Sequence, residues 1–134
     1  SNQEIEYLRA TPGTFDEDTG AITYVADVPE GARVQITVAD RDAILNGCRE
    51  SLEMAMQHYP EGKTPEAAVF FSCAARKLLL GTRTREEYQI IREKFDLSVP
   101  MCGFYGYGEI GPIQSSGANA KFHNETFISL LLGS

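Results

Sequence analysis

Residues 67–71 read Ala-Ala-Val-Phe-Phe, an unbroken apolar run. Such a run suits a strand inside a sheet that is covered on both faces, whereas a half-exposed strand would alternate. Directly after it, residues 73–80 read as a short helix ended by Gly81. A buried strand feeding a helix demands layers, so the chain must put helices against a sheet. The run is too short to cross a bilayer, as is the apolar stretch 128–132.

The remaining elements follow from the same logic. Residues 5–10 read as a first short strand, with polar turns at 11–13 and 16–20. Residues 21–28 and 32–38 are rich in β-branched side chains and flank Pro29-Glu30-Gly31, which predicts a hairpin. Asp40 is placed to cap a helix with Asp42 in its first turn. Ile44, Leu45, Cys48, Leu52, Ala55, Met56 and Tyr59 then share one helical face, and residues 58–62 stop it. Thr84-Arg85-Glu86-Glu87 has the form of a capping box, opening a helix with Tyr88, Ile91 and Phe95 turned inward. Residues 101–107 and 122–132 predict the last two strands, joined by a polar loop over 112–121. The expected order is β-β-β-α-β-α-β-β. This is an α/β fold of the α+β type: a single mixed, mostly antiparallel sheet of about five to six strands carrying two to three helices.

At 134 residues the chain is long enough for one self-sufficient core. It begins Ser1-Asn2, which reads as the remnant of a cleaved tag, leaving residues 3–134 as one domain taken from something longer. A net charge of −7 and no local Lys/Arg cluster oppose nucleic-acid or anionic-membrane partners. Three cysteines, Cys48, Cys73 and Cys102, are an odd number without C-x-x-C spacing, which favours a reducing, cytoplasmic setting over disulfides or zinc. With two histidines and no ligand-type spacing, neither a metal nor a cofactor is expected.

The chemistry-bearing residues concentrate late in the chain. Gly103-Phe104-Tyr105-Gly106-Tyr107-Gly108-Glu109-Ile110-Gly111 is followed by Phe122-His123-Asn124-Glu125-Thr126. Glycines at this density suit a strand that something approaches closely. Glu109, among aromatics, needs either water or a dedicated partner: Arg76, or the ammonium of a bound ligand. Arg76 has a planar fork suited to a carboxylate, that of Glu109 or of a ligand. In a regular strand Asn124 and Thr126 face one way and His123 the other, so they serve one site only if the strand is interrupted. Tyr105 and Tyr107 can form an aromatic wall with polar tips. Cys73 at a helix start could be an activated nucleophile with His123 as base and Glu109 as orienting acid; the bland alternative is a small core residue. His58, at a predicted helix end, is most simply a partner for the helix dipole.

The motifs Phe71-Ser72-Cys73-Ala74-Ala75-Arg76, Glu86-Glu87, Gly103 through Ile110, and His123-Asn124-Glu125-Thr126 resemble, in that order, those of the FIST C-terminal domain. This family takes its name from F-box and intracellular signal transduction proteins, and the resemblance covers about the whole chain. It implies a cytoplasmic, non-catalytic, ligand-binding sensory domain, with amino acids or their derivatives as ligands and an N-terminal FIST domain as companion. Cys73, Arg76, Gly103, Tyr105, Tyr107, Gly108, Glu109, His123, Asn124 and Thr126 are then the expected ligand-binding residues. Glu109 would take the ammonium and Arg76 the carboxylate of a zwitterion. Two other readings stand beside it: a protein-interaction domain without a small ligand, self-association included, and a thiol-dependent hydrolase or transferase using Cys73.

Overall fold

The computed structural model describes residues 12–112 and 120–134. It is a mixed α+β fold, as expected. Within those residues the elements are β1 (Pro12–Phe15), β2 (Ile22–Tyr24), α1 (Arg41–Gln57), β3 (Ala67–Cys73), α2 (Ala74–Leu80), a 3-10 turn (Gly81–Arg83), α3 (Thr84–Lys94), β4 (Met101–Gly106), β5 (Glu109–Gly111), β6 (Lys121–His123) and β7 (Phe127–Leu132). The strand expected over 5–10 lies outside the described residues.

The apolar run does form the central strand. β3 pairs with β4 in parallel, Val69 opposite Cys102 and Phe71 opposite Phe104, and with β7 antiparallel, Val69 opposite Leu130 and Phe71 opposite Ile128. Burial along β3 nevertheless alternates. Ala68, Phe70 and Ser72 face the helices, where Phe70 and Phe127 join Ile44, Leu45, Leu52, Leu80, Ile90, Ile91 and Phe95 in one core. Val69 and Phe71 face the other way and stay half-buried. On that second face Phe104, Leu130 and Leu132 are exposed. The central strand is thus paired on both edges, and among the described residues helices cover one of its faces.

The sheet itself is smaller than expected. Among the described residues the strands divide into three hydrogen-bonded pieces rather than one: the β4-β3-β7 sheet and two antiparallel pairs, β1-β2 and β5-β6. Two expectations fail for identifiable reasons. The turn at Pro29 forms, Ala32 N–H donating to the Pro29 carbonyl at 3.0 Å, but residues 32–38 adopt no strand. Ile36 and Val38 are each 92% exposed. β-branched residues favour a strand only where a neighbour supplies the ladder and a surface to pack on, and β2 spends its own ladder on β1. The long last strand is broken as well. β6 and β7 are separated by Asn124–Thr126, with Glu125 in the left-handed region at φ 58°.

α1 is capped as its sequence dictates, the Asp40 carboxylate accepting from the N–H groups of Asp42 and Ala43. Ile44, Leu45, Cys48 and Leu52 are buried, while Met56 at the far end of the stripe is exposed. His58 closes the helix, donating Nδ1–H to the Met54 carbonyl at 2.8 Å. The capping box of α3 does not form. The Thr84 hydroxyl donates instead to the Gly81 carbonyl at 2.6 Å, and Glu86 takes a two-pronged bond from Arg83. Tyr88 points to solvent, and Glu87 and Ile90 join Ile91 and Phe95 on the inner side.

Candidate functional site

Arg76 and Glu109, the two charges expected to meet, belong to different constellations on opposite faces of the sheet. Arg76 is on the helix side. It is 3% exposed, and its acid is Glu87, itself 2% exposed. Arg76 donates from Nε at 3.1 Å and Nη2 at 2.7 Å to Glu87 Oε1, and Nη2 also reaches the Ile44 carbonyl at 2.8 Å. The guanidinium lies 5.4 Å from the centre of the Phe127 ring. Glu87 Oε2 accepts from the Tyr105 hydroxyl at 2.6 Å and, at a long 3.4 Å, from Ser72 Oγ. Ser72 and Tyr105 are register partners across β3 and β4, so both side chains reach Glu87 from the same face. Every charge of this buried pair is met, as a buried ion pair requires. Burial and the adjoining Glu87 raise the Tyr105 hydroxyl pKa, and the same two causes push the Cys48 thiol up to about 12.

Glu109 sits on the other face, at the start of the β5-β6 pair. It is 3% exposed, and its Oε2 accepts from the Thr126 N–H at 3.2 Å and the Thr126 hydroxyl at 2.9 Å. Its Oε1 is buried and has no hydrogen-bond partner among the described residues. Glu109 lines a cavity of about 280 Å³ between the open sheet face and the hairpin. Phe71 and Phe104 wall it, their rings 5.2 Å apart and edge to face; Ile110 and Ile128 add aliphatic surface, and Gly106 and Gly108 complete the lining. No basic residue lines it among the described residues.

The interruption at Asn124–Thr126 brings His123 and Thr126 to the same carboxylate region despite strand parity. His123 lies directly opposite Glu109 in the β5-β6 register, and Thr126 folds back onto Glu109. His123 does not bond Glu109. It is buried and donates its Nε2 proton to the Gly111 carbonyl at 3.0 Å, which fixes the tautomer because a carbonyl can only accept. Asn124, 2% exposed, is buried beside Gly108. Cys73 is buried at the cap position of α2, and no described hydrogen bond joins it to His123 or Glu109. The linked Cys73-His123-Glu109 relay is therefore absent from the geometry.

Of the other expected residues, Tyr107 is 92% exposed and forms no wall of the cavity. Gly103 is close to the chain itself: a Cβ there would lie 2.5 Å from the Phe70 carbonyl oxygen. At Gly108 a Cβ would overlap the Phe122 ring. The close approach that glycine permits is thus made first by neighbouring strands. Sequence reasoning missed Phe71, Phe104 and Ile128 as cavity walls and Glu87 as the partner of Arg76. Strand parity with Val69 and Phe71 could have found the walls, and the need of a buried Arg for an acid could have found Glu87.

A larger cavity of about 440 Å³ opens at the C-terminal end of α1, lined by His58, Tyr59, Lys63, Ser129 and Ser134 among others. Its polar groups are mostly engaged locally. His58 holds Met54, Ser129 bonds Ser51, and Ser134 donates to Glu66. Size favours this cavity, but an acid with an unmet oxygen is found only at Glu109 among the described residues. We place the candidate site there.

The described residues make an α+β domain with a small, largely apolar cavity that Glu109 helps to line. The chain belongs to the FIST C domain family, whose model matches residues 2–112. This is a sensory domain family associated with signal transduction and generally non-catalytic. Two uncharacterized proteins of Mycobacterium tuberculosis, one from strain CDC 1551 and one from strain H37Rv, are each 32% identical over 105 residues. That covers 78% of this chain and 26% of each relative, so the chain spans about a quarter of their length. No solved structure matches it. Among the described residues no helix is long and apolar enough to cross a membrane.

Proposed function

We propose that this chain is the small-ligand-binding sensory unit of a cytoplasmic signal transduction protein, with Glu109 at its recognition centre. The observation that carries the reading is the Glu109 carboxylate. One oxygen is held by Thr126, and the other is buried beside a cavity with no partner among the described residues. An unmet buried acceptor costs about 1–3 kcal/mol, more when it is charged, and a donor on a ligand recovers that cost. Amino acids and their derivatives offer an ammonium for this role. The two-charge clamp has to be revised, because Glu87 already holds Arg76 on the far side of the sheet. His123 and Asn124 support the hairpin that presents Glu109, and the N-terminal FIST domain of the same protein is the expected companion. Thermal-shift screening of the chain and of Glu109→Gln against amino acids and derivatives tests the reading. A concentration-dependent rise in melting temperature that Glu109→Gln abolishes is expected, and a rise that survives the substitution places the site elsewhere.

One observation favours a second reading, a protein-interaction domain. Phe104, Leu130 and Leu132 leave an apolar sheet face open next to the cavity. Binding of another protein chain that Leu130→Asp disrupts, with no response to any small molecule, would favour it.

A further inference from the structure

Resting on the reading that the Glu109 cavity is the ligand site, we propose that its ligand is a small amine: an ammonium group on an apolar body, without a carboxylate. At the acid end one carboxylate oxygen is in use and the other is not. Thr126 donates twice to Oε2, from N–H and from Oγ1, which turns the carboxylate and leaves Oε1 unmet among the described residues. Across the strand pair, His123 gives its Nε2 proton to the Gly111 carbonyl and not to Glu109. A ligand ammonium supplies both the missing hydrogen bond and the missing charge.

The rest of the lining accepts hydrocarbon. Phe71 and Phe104 present aromatic surface, and Ile110 and Ile128 present aliphatic surface. A cation lodged among aromatic rings gains further from their faces. The volume, about 280 Å³, is near the lower end of the ~300–1,000 Å³ range of ligand pockets, so the body must be small.

Among the described residues a carboxylate finds no cation here. No basic side chain lines the cavity among the described residues. Arg76, the fork that a zwitterion would need, is committed to Glu87 and the Ile44 carbonyl on the helix side. A ligand carboxylate would instead share the cavity with Glu109, and two like charges repel. The constellation therefore selects amines against the parent amino acids.

The test is a thermal-shift and calorimetric comparison on the intact chain of three compounds with the same aromatic body: phenethylamine, L-phenylalanine and 2-phenylethanol. Isoamylamine and L-leucine repeat it with a branched aliphatic body. Each amine is expected to bind at least about tenfold more tightly than its amino acid and than the neutral alcohol, a difference of about 1.4 kcal/mol. Glu109→Gln is expected to remove the preference for the amine. The comparison among compounds on the unsubstituted chain stands even if that variant folds poorly. Amino acids binding as well as the amines, with Glu109→Gln weakening both, would overturn the amine assignment and leave the Glu109 site standing. Binding indifferent to Glu109→Gln, or no binding by either amine while a carboxylate such as phenylacetate does bind, would overturn both.

Discussion

Arg76 is a full charge held at 3% exposure, and its effect on stability depends on Glu87. Removing one partner of a buried pair leaves the other uncompensated. Glu87→Ala should therefore cost about 3–5 kcal/mol in urea unfolding. A loss below 1 kcal/mol would mean that Arg76 finds another acid. The same buried region sets the alkaline behaviour. Cys48 is fully buried, and desolvation first, then Glu87, raises its pKa from 9.0 to about 12. Between those values the folded chain binds a proton that the unfolded chain has released, so stability must fall as pH climbs from 9 toward 12. The raised Tyr105 hydroxyl acts in the same direction above pH 10. Urea midpoints measured from pH 8 to 11 should decline, and Cys48→Ala should flatten part of that decline. In labelling at pH 8, exposed Cys102 should react first, with Cys48 protected until the chain opens.

At the scale of elements, what could be read in advance depended on whether the signal was local. Asp40 caps α1 through its own neighbours, so the sequence alone located that helix start. Asp40→Ala should cost about 1 kcal/mol. Residues 32–38 show the opposite case. Val34, Ile36 and Val38 alternate as in a strand, yet they lie exposed and outside any described strand. Ile36→Thr should change stability by no more than about 0.5 kcal/mol, whereas a strand facing a core would lose far more. Gly103 depends on a neighbour in another way, since Gly103→Ala would push a methyl into the Phe70 backbone. A destabilisation of about 1–3 kcal/mol is expected. Glu109, His123, Asn124 and Thr126 were recognisable as a group because their chemistry is unusual for strand ends. Their geometry was not, because it depends on the interruption around Glu125, which no periodicity announces.

Across the whole molecule, the sheet separates a closed polar knot from the proposed recognition site. On the helix side, Ser72, Arg76, Glu87 and Tyr105 form a closed polar knot within the core. On the open side, Phe71, Phe104 and Ile128 meet the β5-β6 hairpin and leave a cavity with one acid in it. Arg76 and Glu109 are about thirty residues apart in sequence, and which face each would take could not be read without knowing that Glu87 claims Arg76. The central claim is that ligand enters at Glu109, and an NMR titration of the isotopically labelled chain with phenethylamine tests it most directly. The account expects saturable shifts centred on Phe71, Phe104, Glu109, Ile110, Thr126 and Ile128. Shifts gathered instead around Tyr59, Lys63, Ser129 and Gly133, at the larger cavity, would contradict it.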